Sequence, residues 1–145
     1  MHTVLFFLNI LMVIKIAELC PNECKCTPSM NRVVCNNGNL TAFPPGIPTT
    51  TKYLYIQYMK LQKISRNDVL GLKGMISLHL DGNLLKTVER EVFCEMPQLM
   101  FLVLSSNKIT NLSAKTFSCL KQLEMLVLKD NFFQNLDLDT FFRIR

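Results

Sequence analysis

The sequence is poor in the residues that chemistry usually needs. It holds two histidines, and one of them, His2, sits in the leading segment. No phosphate loop, metal cluster or dinucleotide fingerprint occurs, so no cofactor or metal is expected. Charged residues make up only 19% of the chain, and its sixteen Lys and Arg are scattered, densest at Lys60, Lys63 and Arg66. A nucleic-acid reader gathers positive charge into a stripe or cluster. The net charge of +5 therefore reads as a solvated basic surface, with no nucleic-acid partner. Beyond the first residues there is no long apolar run, so no membrane span is expected. Disorder is excluded from the other side, because 49% of the residues are hydrophobic and can build a core.

The one apolar run, Val4 to Ile14, is broken only by Asn9. It is too short to cross a bilayer as a helix, which takes about 20 residues. It fits the apolar region of a secretory signal peptide, with cleavage expected after Ala17 and residues 1–17 removed. A secreted or cell-surface location follows. Four of the six cysteines are crowded into Cys20, Cys24, Cys26 and Cys35. Four thiolates could close a zinc site, but an oxidising compartment favours disulfides. Spacing alone leaves three pairings open. The same route makes Asn39-Leu40-Thr41 and Asn111-Leu112-Ser113 readable as N-glycosylation sequons, with Asn39 and Asn111 as acceptors on exposed turns.

Internal periodicity organises the rest. Leu99, Leu102, Leu104, Asn107, Ile109, Leu112, Phe117 and Leu120 recur 24 residues later as Leu123, Leu126, Leu128, Asn131, Phe133, Leu136, Phe141 and Ile144. Moving 24 residues back gives Met75, Leu78, Leu80, Asn83, Leu85, Val88, Phe93 and Met96. A further step gives a looser set: Thr51, Leu54, Ile56, Met59, Leu61, Ile64, Val69 and Leu72. Leu102 and Leu104 are two apart, so they share one side of a short strand, and Phe101, Val103 and Ser105 take the other. The Asn that follows can pair backbone groups that a turn would otherwise leave buried and unsatisfied. One unit cannot bury its own apolar face, whereas a stack of units makes a continuous core.

These residues resemble a known family. The pattern L-x-x-L-x-L-x-x-N-x-I/L-x-x-L followed by F-x-x-L is similar to the extracellular 24-residue leucine-rich repeat. The segment from Cys20 to Cys35, with the Pro44-Pro45-Gly46-Ile47-Pro48 run behind it, resembles the cysteine-rich amino-terminal cap of that family. The resemblance implies an α/β-type repeat solenoid, a curved horseshoe fragment with short parallel strands on its concave face. It divides the chain into a cap over 18–50 and four repeats over 51–74, 75–98, 99–122 and 123–145. It implies the pairings Cys20–Cys26 and Cys24–Cys35, and a cap that covers the apolar end and first strand edge of the stack.

The sequence departs from the family pattern in three places. Met59 stands where an Asn is expected, which predicts a less regular first unit. Cys94 and Cys119 lie 25 residues apart, one more than the repeat. A bridge and two unpaired thiols both stay open, and the offset leans to the thiols. No second cysteine-rich cap precedes Arg145, so the chain reads as a truncated or partial product whose last unit exposes an apolar end and an open strand edge.

The register also names a surface. The concave-facing positions are Tyr53, Tyr55, Gln57 and Tyr58, then Ser77, His79, Asp81 and Gly82, then Phe101, Val103, Ser105 and Ser106, and last Met125, Val127, Lys129 and Asp130. All three tyrosines of the chain fall in the first set, and tyrosine suits interfaces because it joins an apolar ring to a polar tip. Aromatic residues also simply favour strands. Taken as a face, Tyr53, Tyr55, Tyr58, His79, Asp81, Phe101, Val103, Met125, Val127 and Lys129 are expected to bind a protein ligand. Ser77, His79 and Asp81 share this face, but side chains two apart on one strand run parallel and nothing completes a triad, so no enzyme is expected. The family it resembles includes receptors, adhesion proteins and matrix proteoglycans, and the first expectation is the ligand-binding or adhesion ectodomain portion of a receptor-like protein. The alternatives are a structural matrix protein and a soluble truncated competitor.

Overall fold

The computed structural model describes residues 20–134 apart from 37 and 114. The expected signal peptide and its cleavage point lie outside the described residues, as do Leu136, Phe141 and Ile144. A parallel-strand solenoid of about four turns is built by β3 (Tyr53–Ile56), β5 (Ser77–His79), β7 (Phe101–Val103) and β8 (Met125–Val127). The strands pair in parallel at a strict 24-residue offset: Leu54 lies beside Leu78, Leu78 beside Leu102, and Leu102 beside Leu126. Leu54, Leu78 and Leu102 are fully buried, as are Ile56, Leu80 and Leu104 two residues on. The alternation that the sequence shows is therefore the inside–outside alternation of each strand.

The cap extends this sheet. Strands β1 (Cys24–Thr27) and β2 (Arg32–Cys35) form an antiparallel hairpin, and β2 then pairs in parallel with β3. Pro28 opens the 3-10 turn of the hairpin, and Asn31 closes it in the left-handed region, which Asn tolerates better than most residues. The register sets Cys24 opposite Cys35, and those two are bridged, as are Cys20 and Cys26. Val33, Cys35, Phe43 and Ile47 of the cap join the core. The first strand edge is thus covered.

The turns after β5, β7 and β8 are each closed by one asparagine. Asn107 is buried, and its Oδ1 accepts the Leu85 N–H at 3.0 Å. Its Nδ2 donates to the carbonyls of Leu80 at 2.9 Å, Leu104 at 3.1 Å and Ser105 at 3.1 Å. Asn83 repeats the set with Leu61 N–H, Ile56, Leu80 and Asp81. Asn131 repeats it with Ile109 N–H, Leu104, Leu128 and Lys129. Met59 cannot do this, and its side chain is buried instead. The expected irregularity of that unit does not follow in the sheet: β3 is in full register with both neighbours. Hydrogen bonds from β2 and β5, and the packed thioether, hold the strand without its amide.

On the opposite side from the sheet the chain returns through two 3-10 turns, Arg66–Val69 and Val92–Glu95, and a short two-stranded pairing of β4 (Lys63–Ile64) with β6 (Thr87–Val88). Phe93 and Phe117 stack there, with ring centroids 5.9 Å apart. Next to them the structure corrects the reading of the last two cysteines: Cys94 and Cys119 are bridged, with Cα atoms 5.0 Å apart. The second unit forms a 3-10 turn here, whereas residues 115–121 of the third are irregular turns. That difference takes up the extra residue, while the phenylalanines stay in register.

Two outcomes follow. Asn107→Ala leaves the buried Leu85 N–H without its acceptor, while the Leu80 carbonyl keeps the bond from Asn83 Nδ2, so urea unfolding should show a loss of about 1–3 kcal/mol. The Cys94→Ser/Cys119→Ser chain should lose about 2–4 kcal/mol in the same measurement, and thiol labelling of the native parent chain should find no free cysteine at these two positions.

Candidate functional site

The sheet carries two outward columns. Arg32, Tyr53, Ser77, Phe101 and Met125 form one, and Val34, Tyr55, His79, Val103 and Val127 the other. Parallel pairing at a constant offset stacks like positions a strand spacing apart, about 4.8 Å, which suits planar rings. The Tyr55 and His79 rings stack with centroids 4.6 Å apart and an angle of 24° between planes. From the first column the Arg32 guanidinium reaches diagonally over Tyr55, 4.7 Å from its ring centre, where a cation meets the negative face of the ring. Arg32, Tyr55 and His79 therefore form a three-layer stack across β2, β3 and β5. Sequence reasoning missed Arg32, because the cap was read as a cover and not as a strand of the same sheet. The alternation Arg32-Val33-Val34-Cys35 was the available signal.

Polar links fix this stack from below. Ser77 Oγ and His79 Nε2 are 3.0 Å apart. Gln57 Nε2 donates to both Asp81 oxygens, at 2.9 and 3.1 Å. Asp81 Oδ1 stands 3.9 Å from His79 Nδ1. Two residues of the outward register, one of them the expected contact Asp81, are buried here. Asp81 is buried under Gln57 and is 9% exposed, and Ser77 is 5% exposed. Neither offers itself to a partner, and both serve to orient the rings. The other expected contacts do reach the surface. Tyr53, Tyr55, His79, Phe101, Val103 and Val127 are half-buried along the columns, while Tyr58, Met125 and Lys129 are exposed. Lys129 has Asp130 beside it at 3.9 Å.

Tyr58 owes its position to a glycine. Tyr58, Gly82, Ser106 and Asp130 occupy equivalent places, and all four have positive φ. The left-handed conformation therefore does not by itself require Gly82. The ring of Tyr58 does: a Cβ on Gly82 would lie 2.5 Å from Tyr58 Cδ1. The Tyr58 ring lies on the Gly82 backbone, and the residue remains 73% exposed. The sequons fall elsewhere. Asn39 and Asn111 are both exposed, off the strand columns.

Burial pushes the His79 imidazole below the ordinary histidine range, and the Asp81 carboxylate partly opposes this. A folded-state value below the unfolded one, about 6.5, means that the fold favours the neutral ring. The stability this gives is present above pH 6.5 and is lost as the pH falls through the lower folded value. Urea unfolding at pH 7.5 and pH 5.0 should show a smaller loss on acidification for His79→Gln than for the parent chain. Identical losses would remove His79 as a source of acid sensitivity.

Comparison with known proteins agrees with this architecture. The Leucine rich repeat family matches residues 49–109, 73–133 and 97–145. Epiphycan of Gallus gallus is 36% identical over 78 residues, covering 54% of this chain and 24% of epiphycan. Prolargin of Bos taurus is 31% identical over 84 residues, covering 57% of this chain and 22% of prolargin. Nephrocan of Mus musculus is 32% identical over 97 residues, covering 67% of this chain and 18% of nephrocan. The chain thus spans a quarter or less of the length of these relatives. Among the described residues no helix is long and apolar enough to cross a membrane, and three disulfides are formed, which fits an oxidising environment. The protein is extracellular, and its strand register, asparagine turns and matched segments together make it a member of the leucine-rich repeat family.

Proposed function

We propose that the chain is a protein-binding module, working outside the cell without catalysis, whose contact surface is the outward face of the sheet. The single observation that carries this reading is the aromatic surface on the first units. Tyr53, Tyr55 and Phe101 stand half-buried in fixed columns, and Tyr58 projects beside them. Met125, Val103 and Val127 continue the apolar strip. A ring held rigid before binding loses little freedom on contact, and aromatic side chains with polar rims dominate interface energies.

Two roles use such a surface. One is a ligand-binding or adhesion ectodomain of a receptor-like protein. The other is a structural component of the extracellular matrix. Kinship with epiphycan, prolargin and nephrocan supports the matrix role at least as well as the receptor role. A non-catalytic reading agrees with the burial of Ser77, which is 5% exposed.

The test uses the secreted chain, labelled, on cell-free deposited matrix and on intact cell layers in parallel. Replacing Tyr53, Tyr55, Tyr58 and Phe101 together by Ser should lower binding by at least about tenfold, since each hot-spot truncation costs on the order of 1–2 kcal/mol. Circular dichroism should remain that of the parent. Unchanged affinity in a folded variant overturns the assignment of this face. Preference for the bare matrix or for the cell layer separates the two roles.

A further inference from the structure

A second surface lies on the flank of the solenoid, where each turn leaves its asparagine. The residue after the ladder amide is Leu84 in one unit, Lys108 in the next and Phe132 in the third. Their N–H groups bond back to Leu61, Leu85 and Ile109, which stacks the three side chains in a row. Two residues further on, Lys86, Thr110 and Gln134 form a parallel row, with Lys86 N–H bonded to the Gln62 carbonyl and Gln134 N–H to that of Thr110. The two rows bound a groove of about 660 Å³, within the range of about 300–1,000 Å³ for ligand clefts. Leu84 and Phe132 are 36% and 56% exposed in it, and the Lys108 ammonium stands 4.8 Å from the Phe132 ring centre. Its lining residues include two lysines, two glutamines and two threonines but no carboxylate. Apolar patches edged by amide, hydroxyl and ammonium donors match the chemistry of a sugar, which has C–H faces and many oxygen acceptors.

The sequon Asn111-Leu112-Ser113 begins one residue beyond Thr110. Asn111 is exposed, and its Nδ2 lies 3.5 Å from Thr110 Oγ1. That nitrogen is the atom an N-linked sugar uses, so the point of attachment stands against the groove wall. We infer that Asn111 carries an N-glycan whose first sugars lie in this groove, over Leu84 and Phe132. In the covalent step, Asn111 Nδ2 forms a bond to the anomeric carbon of a polyprenyl-diphosphate-linked oligosaccharide. The anomeric C–O bond to the diphosphate breaks, the diphosphate leaves with the electron pair, and one of the two amide protons passes in net terms to that leaving diphosphate. The remaining N–H still donates to Thr110 Oγ1. The glycan then covers an apolar flank between the returning chain and the sheet, and leaves the aromatic columns open.

The experiment uses the full chain secreted from animal cells. Peptide mass analysis first measures occupancy at Asn111 and Asn39. Release of each glycan by an amidase is then timed on the native protein. Relative to the parent, Leu84→Ser/Phe132→Ser should speed release at Asn111 by at least about fivefold and leave Asn39 unchanged. Phe132→Ser alone, at a position more than half exposed, gives the same reading if the double variant fails to fold. An unmodified Asn111 overturns the inference. So does a release rate insensitive to these substitutions, an equal acceleration at both asparagines, or a Phe132-dependent self-association that assigns the groove to a second copy of the chain.

Discussion

One side-chain amide in each of three successive turns is the constraint on which the stack depends. Asn83, Asn107 and Asn131 each join two neighbouring turns, accepting an N–H from 22 residues earlier and donating to a carbonyl from 27 residues earlier. A buried amide of this kind must find all its partners, since each missing one costs about 1–3 kcal/mol. The spacing of the units is therefore not free. A shift by one residue would break the amide set and turn the leucines to the outer face at once. Strict 24-residue register, in turn, gives the outer face its columns. The Tyr55–His79 stack exists because the same backbone position returns one strand spacing away.

The cap sets where this register begins. Its second strand is parallel to the repeats, while its first runs the other way and is bridged to it through Cys24 and Cys35. The cap also takes part in the outer face, because Arg32 lies over Tyr55. End cover and outer-face strand are thus parts of one hairpin. Met59 fits the same view: at the turn next to the cap, the hairpin supplies the pairing, and a buried thioether stands where the other units need an amide.

Much of this was legible before any coordinates. Leu54, Leu78, Leu102 and their partners gave strands of the right phase, and the asparagine positions gave the turns, because both depend on near neighbours at a fixed period. What the sequence hid depends on distances between side chains. Ser77 and Asp81 share the outward phase of His79 and Tyr53, yet they are buried beneath taller neighbours. Phase tells direction and not depth. The Cys94–Cys119 bridge is hidden in the sequence because an offset of 25 matches a repeat of 24 only if neighbouring turns differ in shape. Gly82 gave no sign of its role, since the ring that requires it belongs to Tyr58 in the preceding unit.

The reach of the ladder amides has a consequence for how such a molecule tolerates change in length. Asn131 bonds to Leu104 and Ile109 and to its own turn, and Asn107 bonds no further back than Leu80. Contacts of this range know only the adjacent unit. A whole unit inserted between two others would meet the same donors, acceptors and leucines that it displaced, and distant turns would keep their geometry. The aromatic surface is another matter, because Arg32, Tyr55 and His79 come from three successive strands and Phe101 from a fourth. Insertion would preserve the scaffold while separating the residues that the scaffold brings together. Copy number is thus a route by which one structural solution yields many recognition surfaces.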